Sequence, residues 1–386
     1  MKRTPLAWKN LVHQPRRLFL ATAGVGFAAV LMFTQYGFRN ALLDSPIQLI
    51  ELMECDLVAI SPARYMLPVD QRFPRDLLRR ARSVPGVSDV EPLLIELWLA
   101  QVRVKGQKVR PIRVVSVPEP GWLNVTGLSE QRHKLQPPGA TLIDRKTRSE
   151  YGFASDDEEL ASQVIELAGK RIRVVGRVTI GTDFANEGTL MVQEREFAEY
   201  FPIRGNGNPL EVVDVGMIRI EEGADPKAVA ARLSDLGPDI WRVLTREELQ
   251  RQEIDFWQGQ TPVGKIFFIG TVMGFVVGVI ICYQILFTSL QDAMPEFATL
   301  KAMGYPNWYF IKLVVQQSIY LSLFGFIPAV LVTWGLFWGL ESFSGLPMRL
   351  TIPRGLLVLG LTTSMCLISG LLALRKLLRA DPASLF

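Results

Sequence analysis

Residues 259–290 read GQTPVGKIFFIGTVMGFVVGVIICYQILFTSL. The opening octet sets Gly259, Gly264 and Lys265 at the glycine and lysine positions of a phosphate-binding loop, where backbone amides and an ammonium group cradle phosphates. The eighth position needs a Ser or Thr hydroxyl to hold Mg²⁺, and it is Ile266. From Ile266 to Leu290 no residue is charged, and a helix of that length crosses the ~30 Å hydrocarbon core of a bilayer. Gly and Pro before it therefore read as the break between an aqueous domain and a membrane helix, and no nucleotide site is expected there.

Working outward, the same reading applies to Leu18–Phe38, Leu313–Leu340 and Gly355–Leu374, each apolar and uncharged. The mean hydropathy of +0.21 coexists with 21% charged residues, so membrane and aqueous parts are segregated along the chain. Four spans place both termini on one side. Lys2, Arg3, Lys9, Arg16 and Arg17 precede the first span, whereas Asp44, Glu51, Glu54 and Asp56 follow it, which sets the N-terminus in the cytoplasm. Arg375, Lys376 and Arg379 after the last span agree, as do Lys301 and Lys312 between the second and third. The first apolar run exceeds a signal-peptide core and lacks an A-x-A-like cleavage site, so it is expected to remain as an anchor.

The expected organisation is an α-helical membrane protein of four transmembrane helices with a large α+β periplasmic domain. Residues 1–17 are expected to form a cytoplasmic amphipathic helix, with Leu6, Leu11, Val12 and Trp8 alongside Lys9, Arg16 and Arg17. Spans at 18–38, 263–290, 313–340 and 355–374 are then joined by a periplasmic domain at 39–262, a cytoplasmic loop at 291–312 and a short periplasmic loop at 341–354, with a cytoplasmic tail at 375–386. The net charge of +4 reflects this topology and not a nucleic-acid surface.

Roughly 220 outer residues suffice to bury a core. Two stretches repeat a strand-helix-strand pattern: DLVAIS, FPRDLLRRARSV and VSDVEPLLIELWLAQV, then VVDVGMIRI, DPKAVAARLSDLG and DIWRVL. In the second, Asp225 reads as the helix N-cap, Pro226 as its first residue and Gly237 as its stop. These units flank shorter strand signals, RPIRVVSV, ATLIDR, KRIRVVGRVTI and GTLMVQ, a β-rich subdomain at about 110–205. The acidic SDDEEL at 155–160 reads as a solvated loop or helix start. Cys55 is the one outer cysteine, and His13 and His133 are the only histidines, so neither a disulfide framework nor a zinc cluster is expected. No Ser/His/Asp or Cys/His set is visible, and no catalytic residue or bound metal is assigned.

Within the second span Gly270, Gly274 and Gly278 recur every four residues on one helix face. Such a face admits close backbone approach, either to another subunit or to another span of the same chain. Gln284, Gln316 and Gln317 are expected to bond between helices, Pro328 to kink the third span, and no charged residue marks an ion path.

The loop after the second span reads QDAMPEFATLKAMGYPNWYFIK. PEFATLKAMG suits a short helix, with Pro295 near its start, Glu296 favourable to the N-terminal dipole and Gly304 as its stop. Its Glu296, Leu300, Lys301, Ala302 and Gly304 resemble the cytoplasmic loop of the FtsX and MacB type (type VII) of ABC transporter permease. The one-plus-three span layout, the opening PLAWKNL and the tail RKLLRADPASLF share the resemblance, which comes nearest to the DevC branch. Ala293 and Met294 stand where many members have an Arg, so no salt bridge from that position is expected.

The resemblance implies a permease of the bacterial inner membrane that works as a homodimer with a separate cytoplasmic ABC ATPase, which binds ATP and Mg²⁺ while this chain binds no cofactor. Glu296, Phe297, Leu300, Lys301, Ala302 and Gly304 would receive the ATPase surface, and movement would be passed to the outer domains. DevC-like members resemble parts of tripartite exporters, with a periplasmic adaptor (membrane fusion protein) and a TolC-like outer-membrane channel, and carry glycolipid. The alternatives that the same architecture implies are an FtsX-like signalling subunit that activates a cell-wall hydrolase and a lipoprotein-releasing permease.

Overall fold

A computed structural model describes residues 15–348 and 350–379. The amphipathic helix expected at 1–17 and the tail at 375–386 lie largely outside them. The chain divides into two compact units: Met1–Asn40, Val263–Gly339 and Met348–Phe386 form one, and Ala41–Pro262 with Leu340–Pro347 the other.

The first unit is helical. Its long helices are Pro15–Asp44, Pro262–Asp292, Asn307–Ser344 and Ile352–Arg379, and by length and composition each can cross a membrane. All four run past their uncharged cores. The third begins at Asn307 and contains Lys312 and Glu341, because a charged side chain near a helix end ends the apolar run without breaking the hydrogen-bond ladder. The helix also continues through Pro328. Val25, Ala28, Met32, Cys282, Leu286, Leu321, Val358 and Met365 pack into one core drawn from all four helices. Ile266, Phe268, Met273, Leu331, Trp334 and Leu356 point away from it, the arrangement of helices whose solvent is lipid. Polar groups bridge the helices inside: Gln317 Nε2 donates to Ser289 Oγ at 3.2 Å, and Ser369 Oγ to the Val279 carbonyl at 2.8 Å.

In the second unit the two strand-helix-strand stretches merge into one antiparallel sheet. Its strands lie in the order Arg242–Thr245, Leu57–Ile60, Val215–Ile220, Val87–Leu93. Leu57 faces both Ile218 and Thr245 across the ladder. Alternation along the strands divides the apolar residues between two cores. Leu57, Ala59 and Ile218 turn toward helices Arg75–Ala81 and Pro226–Ser234, which contribute Leu77, Leu78, Ala81, Val229 and Leu233. Val58, Ile60 and Met217 turn the other way, onto Leu249. The Pro226–Ser234 helix starts as its sequence dictates: Asp225 accepts the Lys227 amide at 3.2 Å, and Pro226 follows it.

Between the two halves of that sheet lie eight strands in a second sheet, running from Ile95 to Val192. This sheet is mixed. Lys170–Val178 pairs parallel with Ala140–Asp144, and Thr189–Val192 parallel with Arg113–Ser116, among antiparallel neighbours. The SDDEEL stretch opens a helix at Asp157–Ser162, whose N-cap Asp156 accepts the amides of Glu158 and Glu159.

Candidate functional site

The loop after the second long helix forms a helix at Met294–Ala302. Its end has a physical cause in Gly304. The Tyr305 amide reaches back to the Leu300 carbonyl at 3.2 Å and the Gly304 amide to the Lys301 carbonyl at 3.0 Å, the paired bonds of a Schellman cap. That cap needs a left-handed residue, and Gly304 has φ +91°. At the other end Ala293 occupies the N-cap and makes no side-chain bond, so Glu296 in the first turn and Lys301 in the last supply the charge that favours the helix dipole.

The two faces of this helix differ. Met294 and Leu300 pack against the core of the long helices, so Leu300 seats the helix on its own chain. Glu296, Lys301, Ala302 and Gly304 are exposed. Phe297 lies in the helix between Glu296 and Ala298. Met303 (63% exposed) extends the exposed surface, and two residues that the sequence pattern did not single out, Tyr305 and Trp308 (68%), extend it further. Their sequence signal was apolar side chains directly after a helix stop, which by itself reads as membrane interface.

Gly270, Gly274 and Gly278 seat the first long helix. A Cβ on Gly270 would lie 2.5 Å from Gln35 Oε1, one on Gly274 3.5 Å from Met32, and one on Gly278 3.0 Å from Ala28 while overlapping the Met365 sulfur. Within the chain this face lies against Gln35, Met32 and Ala28 of the first long helix and Met365 of the fourth. Gly264 and Lys265, the residues of the phosphate-loop spacing, lie inside the first turn of the second long helix, and a π turn at Phe256–Gln260 precedes it.

The α/β unit also buries a charged network. Asp214, wholly buried, accepts Arg64 Nη2 at 2.7 Å, a bond from Arg204 and the Ile95 amide at 2.9 Å. Glu96 accepts Arg72 Nη2 at 3.0 Å and the amides of Leu97, Trp98 and Leu99. Every charge here has a partner, as burial at low dielectric requires. Nearby, Glu253 accepts the Leu67 amide at 2.9 Å and the Trp257 indole N–H at 3.1 Å. Burial pushes its carboxyl up to about 7, against those bonds. Burial likewise raises Asp183 even though Arg113 Nη1 stands at 2.8 Å. The Cys55 thiol is pushed up to about 12 by burial, which leaves it unreactive at neutral pH.

Residues 266–382, which hold the last three long helices and the loop helix, match the family described as FtsX-like permease C-terminal. Over 388 aligned residues the chain is 20% identical to an uncharacterized ABC transporter permease of Mycobacterium tuberculosis, found in strains CDC 1551 and H37Rv, with 98% of each chain covered. Among solved structures, the periplasmic region of MacB from Actinobacillus actinomycetemcomitans aligns with TM-score 0.36 at 8% identity, covering 52% of this chain and 92% of that one. The extracellular domain of the noncanonic ABC-type transporter YknZ from Gram-positive bacteria aligns with TM-score 0.34 at 12% identity, covering 49% and 98%. Residues 266–382 are thus similar to an FtsX-like permease C-terminal domain, and along nearly its whole length the chain is similar to ABC transporter permeases.

Proposed function

We propose that this chain is the membrane subunit of an ABC exporter that receives force on the 294–304 helix from a separate ATPase and extrudes a lipid, glycolipid or other amphiphile. The carrying observation is the two-sidedness of that helix. Met294 and Leu300 fix it to the long helices, and Glu296, Lys301 and Ala302 are left for a partner. A helix anchored along one side moves as a body with the helices it is packed on, so a push on its free face reaches them without being absorbed locally. ATP and Mg²⁺ belong to the ATPase. In this reading the loop helix and both termini face the cytoplasm, the α/β unit faces the periplasm, and two copies of the chain act together at the inner membrane. The long helices carry movement and enclose no tunnel, and cargo passes to a periplasmic adaptor and a TolC-like channel, as in the DevC branch.

The test is purification of the tagged chain from native membranes after mild crosslinking, with every captured protein identified. Capture of an ABC ATPase together with an adaptor supports export. An ATPase with a cell-wall hydrolase replaces export by signalling, and absence of any ATPase overturns the coupling role of the helix.

A further inference from the structure

Three segments of the α/β unit are continuous with long helices: residues 45–52 after the first, 246–261 before the second, and 341–347, which takes in the last turn of the third. One turn, GTDFAN at 181–186, touches the first and the third and shares a cavity wall with the second. Gly181 has φ +113°, and a Cβ there would overlap the Gln48 amide, while Gln48 Nε2 donates to the Thr182 carbonyl at 3.1 Å. Thr182 is 1% exposed and lies against Gly345, where a Cβ would come within 2.7 Å of Thr182 Oγ1 and 2.8 Å of the Lys146 carbonyl. Lys146 Nζ in turn bonds Glu341 Oε1 at 2.9 Å. Asp183 and Asn186 line a cavity of about 30 Å³ that Pro46, Glu253 and Trp257 also line, so the first and second segments share its wall.

The turn itself has little freedom. The Asp144 carboxylate accepts the amides of Lys146 at 3.1 Å, Ile180 at 3.1 Å and Gly181 at 2.8 Å. Arg113, buried, pairs with Asp183 at 2.8 Å and donates to the Gly181 carbonyl at 3.2 Å and Thr189 Oγ1 at 3.1 Å. Asp144 and Arg113 each lie in a strand of the eight-stranded sheet. Contacts at packing distance on a rigid base transmit displacement instead of absorbing it.

We propose that the 181–186 turn is the junction that couples these three segments, with Thr182, Asp183 and Gly345 as positioning residues through which a shift of one segment is passed to the other two. Its use in transport rests on the exporter reading; its existence does not. The test is hydrogen exchange of the full chain in detergent micelles, without nucleotide or ATPase. Gly345→Ala should lower protection about tenfold, the exchange equivalent of ~1.4 kcal/mol, in peptides covering 45–52 and 246–257 as well as around 345. Strands Val215–Ile220 and Lys170–Val178 should keep their protection. Because that glycine variant strains its own backbone, a charge swap is run beside it. Glu341→Lys should loosen the same distant peptides to a smaller degree, and adding Lys146→Glu should restore them. Loss confined to 341–347, or loss spread evenly over the α/β unit, overturns the junction. Coupling observed in a chain that captures no ATPase would leave the junction standing and remove the exporter.

Discussion

Glu253 offers a quantitative test of the buried network. Its carboxylate is fully buried, accepts two N–H donors, and has its pKa pushed from 4.5 to about 7 by burial, with Asp183 adding and Arg64 opposing. Below pH 4.5 the group is protonated folded or unfolded, and its contribution to stability is fully present. As pH rises through about 7 the folded protein must give up a proton that the unfolded chain has already lost, so this stability disappears. At ~1.36 kcal/mol per unit the shift amounts to about 3 kcal/mol. For a domain of this size ~1 kcal/mol moves Tm by ~2–4 °C, so this group lowers Tm by roughly 6–12 °C between acid and neutral pH. Glu253→Gln keeps the shape and one acceptor but cannot titrate. The assay is thermal unfolding of the full chain in micelles from pH 4.5 to 8, wild type and variant side by side, with exchange at the Leu67 amide as a local probe. Subtracting the two profiles isolates Glu253 from Asp183 and Glu91, whose carboxyls burial also raises. Parallel profiles would refute the reasoning.

The remaining predictions concern the loop helix and the glycine face. At Gly304 nothing lies within 4 Å of a Cβ, so substitution meets backbone strain alone. Ala should cost ~1–2 kcal/mol, Val more and Asn less, read as faster exchange of the Tyr305 amide in the order Gly, Asn, Ala, Val; equal exchange in all four would remove the cap from the explanation. Leu300→Asp should detach the loop helix and raise exchange across 294–304, whereas Lys301→Glu should leave exchange unchanged and reduce stimulation of the partner ATPase. If Lys301→Glu loosens the helix as much as Leu300→Asp, the two-faced arrangement fails. Gly278→Ala should destabilise by ~1–3 kcal/mol through overpacking on Ala28 and Met365, while Gly274→Ala, with 3.5 Å to Met32, is tolerated. A Gly274→Ala variant that melts as low as Gly278→Ala would mean the face packs elsewhere.

What could be read from the sequence was local. Absence of charge over twenty or more residues places a long helix whatever surrounds it, and Asp225-Pro226 and Gly304 announce helix ends because their reasons lie within one turn. The direction in which Leu300 points depends on the neighbouring long helices, and no spacing in PEFATLKAMG contains them. The buried network was hidden for a different reason. Arg64 and Asp214 are 150 residues apart, and each reads in its own neighbourhood as a solvated charge. Glu253 sits in REELQRQEID, a stretch so polar that composition assigns it to the surface, yet Glu253 is enclosed there along with Leu249. The glycine face was legible as a face, while its occupant required coordinates.

The interleaved order of the four-stranded sheet bears on how the chain is made. Leu57–Ile60 pairs only with strands near residues 215–220 and 242–245, so this sheet has no stable half. During synthesis the first strand must wait until some 160 further residues have emerged, among them the whole eight-stranded sheet, which can close on its own nearer contacts first. Through that interval both edges of a fully apolar strand, LVAI, stay unpaired. Biogenesis is thus more exposed to failure than the finished fold, and substitutions that slow pairing of residues 215–220 should lower yield far more than they lower the melting temperature.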